Sequence, residues 1–146
     1  MYKQLLIIRK DIPMSLGKIC AQSSHGSMAF ISHLLQNGKK KKNGDEYELT
    51  LTIDKDIMEQ WFCGMFTKVV CGAKNKNQLL KAVKMAEEMG MIEGRDFFVI
   101  KDNCLTDIEP EEYDENGVGR TITCIGFRPM GAEVIEKISK KFQLLK

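Results

Sequence analysis

The sequence predicts an α/β fold, a three-layer α/β/α sandwich, on three observations. Short apolar runs of strand length alternate with longer segments of helical period. The first run places four apolar residues in a row between polar neighbours, as in a strand covered on both faces. The last two strand segments follow one another with no helix between them. Alternation implies parallel crossovers with helices against the sheet, and the missing crossover implies one antiparallel edge. A chain of 146 residues is expected to form one domain, 1–146, around a single core.

Each element follows from its own residues. QLLIIR at 4–9 is the first, central strand, and Pro13 in DIPMS forces a turn after it. A helix is predicted from Ser15, an N-cap residue type, to Gln36, with Asn37-Gly38 ending it. NGKKKKNGDE reads as a loop between two Asn-Gly pairs, the segment expected to be least ordered. YELTLTI at 47–53 alternates apolar and polar residues, a short strand or extended arm. Asp54 caps a short helix that Gly64 ends, and TKVVCGA at 67–73 is a second buried segment. Leu79, Leu80, Val83, Met85, Ala86 and Met89 recur at helical spacing over 75–90. DFFVIKD at 96–102 and TITCIGF at 121–127 are further strands, and 131–142 closes the chain as a helix.

Composition excludes several classes. Hydrophobic residues make up 43% and charged residues 29%, the balance of a globular protein rather than a disordered one. No apolar run approaches the roughly 20 residues of a membrane span. The N-terminus lacks the features of a signal peptide, so a cytoplasmic protein is expected. Five scattered cysteines include no CxxC spacing, so neither a zinc site nor disulfides are expected, and most should be buried as small hydrophobes. The net charge of +2 is too weak to announce a nucleic-acid binder, but its distribution is uneven. Lysines crowd the first half and carboxylates crowd 107–115, which predicts a basic face and an acidic loop.

Open sheets of this type bind ligands at the carboxyl ends of their strands. Two polar segments leave such ends, 10–18 and 101–107. At 100° per residue, Lys18, Gln22 and His25 share one stripe of the first helix, within about 40° of one another. A lysine in the first turn opposes the helix dipole and, beside free N–H groups, makes a local site for phosphate or a developing oxyanion. His25 offers a proton shuttle or a donor to substrate. A partly exposed polar stripe with no chemistry is the plainer reading of the same residues. Small neighbours, with Gly26 in mid-helix, indicate that something passes close to the helix backbone. In KDNCLTD, Asp102 and Thr106 are spaced to face one crevice, although Asp-Asn is also ordinary turn chemistry.

Taken together, these segments resemble a known family. MSLGKICAQSSHG at 14–26 is similar to the signature helix of the second type of peptidyl-tRNA hydrolase, a pattern close to M-x-x-G-K-x-x-A-Q-x-x-H. The likeness continues through I-R-K-D, Trp61 and Gly64 before T-K-V-V, the turn from Asp102 to Thr106, I-G-F-R-P, and a final L-L-K. It covers nearly the whole chain outside about 40–56 and 107–119. The resemblance implies hydrolysis of the ester joining a stalled peptide to tRNA, a four-stranded mixed sheet between helices, no metal or other cofactor, and a homodimer. It implies an active site of Lys18, His25, Asp102 and Thr106, with Gln22 beside them as a substrate-binding residue. Lys10, Lys39, Lys40 and Lys74, with Lys18, are the candidates for holding tRNA phosphate.

Departures are concentrated in the turn. Where many members have Asp-Ala-Gly-Arg-Thr, Cys104 replaces the glycine and Leu105 the arginine, so either φ moves below zero or the turn changes shape. A lysine-rich insertion at about 37–47 and the acidic loop at 107–117 are also atypical. Two further readings stay open: a binding module of the same fold without turnover, and a cysteine-dependent enzyme with Cys104 as nucleophile beside His25.

Overall fold

The computed structural model describes residues 1–146. The first half contains β1 (Tyr2–Arg9), α1 (Leu16–Asn37), β2 (Lys39–Asn43), β3 (Glu46–Thr50) and a π-helical segment, Ile57–Met65. The second half contains β4 (Lys68–Ala73), α2 (Lys76–Glu88), β5 (Phe97–Asp102), β6 (Glu112–Tyr113), β7 (Gly119–Phe127), β8 (Met130–Gly131), α3 (Ala132–Ser139) and β9 (Gln143–Leu144).

The sheet is mixed, in the order β5-β7-β1-β4-β9, with β6 added to β7 and β8 to β1. Strand β1 runs parallel to β4 and antiparallel to β7, and β5 is antiparallel to β7. The long strands β5, β7, β1 and β4 are the four the sequence predicts. The expected four-stranded sheet is corrected to seven, because β6, β8 and β9 are two-residue pairings too short to carry a period.

Alternate residues of β1 build the two faces of the sandwich. Leu5 and Ile7 join Leu79, Ala82, Ala86, Ile135 and Ile138 in the main core, under α2 and α3. On the other face α1 lies close to the sheet at one point: a Cβ on Gly26 would stand 2.8 Å from Cys124 Sγ and 3.3 Å from Leu6. A Cβ on Gly126 would stand 2.0 Å from the Gly26 carbonyl oxygen. Two glycines facing each other are what the expected close approach requires. A smaller cluster of Phe30, Ile57 and Trp61 seats the π-helical segment against the far half of α1.

The lysine-rich stretch is the second correction. It is a β-hairpin rather than a loop, with Lys41 opposite Glu48, Lys42 opposite Tyr47, and Gly44 at φ 62° in a two-residue turn. A run of lysines conceals strand period, and the tight Gly44-Asp45 turn decides the outcome. The cysteines are the third. Cys71 and Cys124 are buried, but Cys20 and Cys63 are exposed and Cys104 is half-buried; none is bonded to another.

Candidate active site

The crevice forms where the start of α1 meets the end of β5. Ser15 caps α1 by accepting from the Lys18 backbone N–H at 3.2 Å, which places Lys18 in the first turn. Strands β1 and β5 are both antiparallel to β7, so they point the same way and their carboxyl ends share one edge. Asp102 is the last residue of β5, only 9% exposed. Lys18 Nζ lies 2.8 Å from Asp102 Oδ1 and donates to Thr106 Oγ1 at 3.3 Å.

A second set of bonds holds the carboxylate still. Gln22, 2% exposed, donates to Asp102 Oδ1 at 2.9 Å, while its carbonyl accepts from the Thr123 hydroxyl on β7. The Cys104 backbone N–H donates to Asp102 Oδ2 at 2.8 Å, an Asx-type turn that holds the 102–106 loop against its own aspartate. Burial pushes the Asp102 carboxyl upward, but the Lys18 ammonium, the Cys104 N–H and the Gln22 amide outweigh it. The net shift is downward, so Asp102 stays ionised at neutral pH.

The resulting cavity, about 340 Å³, is lined by Lys18, Gln22, His25, Asp102, Leu105 and Thr106, with Lys101 and Asn103 at its edge. His25 is exposed, one turn beyond Gln22. All four residues expected to be catalytic therefore reach one cavity. Gln22 reaches it too, from beneath Asp102. Of the lysines expected to hold phosphate, Lys18 lines it and the other four do not. Lys39 and Lys40 lie beyond the other end of α1, about 30 Å away at 1.5 Å per residue, and Lys40 Nζ donates to the Gln36 carbonyl at 2.6 Å. Lys10 and Lys74 share a different concavity.

A cavity of similar size, about 350 Å³, lies beside Phe30 and His33. Its buried acid, Asp96, is held by Arg95 and Arg128. The crevice at Lys18 is the one that gathers the residues expected to be catalytic.

The replaced glycine is resolved by its φ. Cys104 has a left-handed backbone at φ 56°, so φ does not move below zero and a residue with a Cβ accepts the strained conformation. Its thiol approaches Thr121 Oγ1 at 3.4 Å and forms no part of the crevice wall. The acidic loop is pinned: Glu111 to Arg9 at 2.6 Å, Glu112 to Lys101 at 2.6 Å, and Asp114 to Arg120 at 3.1 Å. Arg120 also donates to Asn103 in the site loop. Sequence reasoning missed Arg120, which is 17 residues from the loop it braces and carries no local signal.

A family model described as peptidyl-tRNA hydrolase PTH2 matches residues 2–145. The chain belongs to this family. Archaeal relatives named peptidyl-tRNA hydrolase align along essentially their whole length. The Methanopyrus kandleri protein is 27% identical over 146 residues, covering all of both chains. The Thermoplasma acidophilum protein is 26% identical over 143 residues, 98% of this chain and 97% of its own. The Sulfolobus acidocaldarius protein is 29% identical over 143 residues, 98% and 99% respectively. Hydrolysis of peptidyl-tRNA is the activity that membership of this family carries.

Proposed function

We propose that this chain cleaves the ester of peptidyl-tRNA by direct attack of water, with Asp102, Thr106, Lys18 and His25 in separate roles and no metal ion. The observation that carries the reading is the 2.8 Å pair between Lys18 and Asp102, held from below by Gln22. Asp102 Oδ1 already accepts from Lys18 and Gln22, but Oδ2 accepts only the Cys104 N–H and has a lone pair left. A water held there and by Thr106 is oriented for attack on the ester carbonyl. Its proton passes to the carboxylate as the new C–O bond raises its acidity.

Lys18 has three N–H donors, of which Asp102 and Thr106 take two. The third faces the developing oxyanion and stabilises it. Collapse of the tetrahedral intermediate breaks the bond to the ribose oxygen, and His25 supplies the proton that this oxygen takes. Gln22 positions Asp102. Exposed lysines hold tRNA phosphate, which carries no sequence information and suits an enzyme that must accept every tRNA. On the same reading the enzyme works in the cytoplasm, beside translation, and pairs as a homodimer; sizing by light scattering tests the latter.

Steady-state cleavage of a peptidyl-tRNA tests the assignment. Lys18→Ala and Asp102→Asn should each lower kcat/KM at least tenfold, Cys104→Ser should leave it within twofold, and EDTA should not change it. Full activity in Asp102→Asn, or loss in Cys104→Ser, overturns the assignment.

A further inference from the structure

A second concavity, about 160 Å³, lies on the same edge of the sheet and is lined by Lys10, Gly72, Lys74, Gln78, Lys141 and Gln143, with no apolar side chain among them. Three lysines converge on it and no carboxylate does. None of the three makes an ion pair. Gathering like charges without a counter-charge is unfavourable and is relieved when an anion binds between them.

The pocket is built rather than incidental. The Lys10 backbone N–H donates to the Ala73 carbonyl, continuing the β1–β4 ladder past its last pair. The stem of Lys10 lies across Gly72, where a Cβ would stand 2.5 Å from Lys10 Cδ, so the absent side chain is the seat of the lysine. Gln143 pairs with Gly72 across β4 and β9, and this pairing of the chain's end brings Lys141 to the rim. The concavity opens at the first turn of α2, where Asn75 accepts from the Gln78 N–H at 2.9 Å. The positive end of that helix adds to the field.

Its position relates it to the crevice. In the order β5-β7-β1-β4, three interstrand steps separate the end of β5 from the end of β4. At about 4.8 Å per step the separation along the edge is roughly 14 Å. A stacked strand of nucleic acid advances about 3.4 Å per nucleotide, so that distance spans about four nucleotides. A single-stranded 3′ tail whose terminal ester sits at Lys18 and Asp102 has that reach.

We infer that Lys10, Lys74 and Lys141 form a phosphate subsite for the RNA backbone of the substrate, a few nucleotides before the scissile ester. This rests on the proposed hydrolysis of peptidyl-tRNA and adds to it a fixed anchor. A phosphodiester in this pocket sets how far the tail extends into the crevice. It reads no base, since lysine ammonium groups see only charge.

The test compares two substrates, a full peptidyl-tRNA and a peptidyl ester of adenosine alone, with wild type and the double variant Lys74→Gln, Lys141→Gln. For peptidyl-tRNA, KM should rise about tenfold in the variant while kcat stays within twofold, and the slope of log KM against log salt should shrink by about 1.4, at roughly 0.7 per lost contact on a single strand. For the adenosine ester, the ratio of variant to wild-type kcat/KM should be near one. Equal KM and equal salt slope on peptidyl-tRNA overturn the subsite and leave the hydrolase standing. Failure of the wild type to cleave either substrate overturns the hydrolase reading itself. Inorganic phosphate is the third probe. If it shifts the Lys141 resonances of the wild type but the variant's KM on peptidyl-tRNA is unchanged, the pocket holds a free anion instead of the RNA backbone, which also overturns the inference. Lys141→Glu, with thermal melting as the check on folding, should raise KM further than Lys141→Gln.

Discussion

The crevice and the lysine pocket stand on one edge of the same sheet and treat positive charge in opposite ways. In the crevice Lys18 is 15% exposed and touches a carboxylate that is itself buried. In the pocket Lys10, Lys74 and Lys141 are exposed and touch no carboxylate. A paired and enclosed charge gives a fixed direction, because its partners hold it and salt screens it little. An unpaired, solvated charge gives attraction without direction, and salt weakens it. Chemistry on one bond needs the first kind, and holding a polyanion needs the second. The two also differ in construction. The crevice depends on how closely α1 approaches the sheet, whereas the pocket is made by strand ends and the first turn of α2.

That difference in construction gives the largest expected effect. Gly126→Ala would drive a methyl into the Gly26 carbonyl, a backbone collision that only a shift of α1 relieves. Overpacking of this kind costs about 1–3 kcal/mol, and a clash with backbone belongs at the top of that range. Urea unfolding should show the loss. Because α1 carries Lys18 and Gln22, kcat should fall while KM for peptidyl-tRNA changes less. A variant with full stability would mean that the two glycines are not the contact that sets the helix.

Titration separates the regions next. The Asp102 carboxyl is held below the ordinary aspartate value, near 3.9, by Lys18, Cys104 and Gln22 acting against burial. A depressed folded-state value means the stabilisation is complete above the unfolded value and lost as pH falls through the folded one. Gln22→Leu removes one of the three opposing bonds, so the Asp102 midpoint should rise and acid should unfold the variant at higher pH. Carbon-detected NMR of the carboxyl reads the first and circular dichroism the second. An unchanged midpoint would mean that Gln22 does not act on Asp102.

The smallest effect belongs to the site loop. Cys104 holds a left-handed φ of 56°, which costs a residue with a Cβ roughly 1 kcal/mol relative to glycine. Cys104→Gly should raise the unfolding free energy by up to about 1 kcal/mol, reduced by the lost contact with Thr121, and should keep kcat within twofold. Destabilisation by this change would show that the thiol contact outweighs the strain.

Legibility in the sequence divides along the same line. Ser15, Pro13 and the period of the helix put Lys18, Gln22 and His25 on one stripe, because a helix repeats over a few residues and its cap lies next to it. Asp102 after a buried strand and Thr106 four residues on were equally local. The hairpin was not legible, since a run of lysines gives no alternation even though Gly44-Asp45 forms its turn. Arg120 bracing Asn103, and Arg9 reaching Glu111, were hidden by sequence separation.

By itself the sequence determined the α/β class, the long strands, the first helix and the two segments that line the crevice, since each is written in residues close enough to repeat or cap one another. Only the tertiary structure decided that Gln22 lies beneath Asp102, that Cys104 keeps its φ positive, and that Lys10, Lys74 and Lys141 meet. Those facts depend on strand order and on which side chains the folded sheet brings within reach, and neither depends on neighbours along the chain.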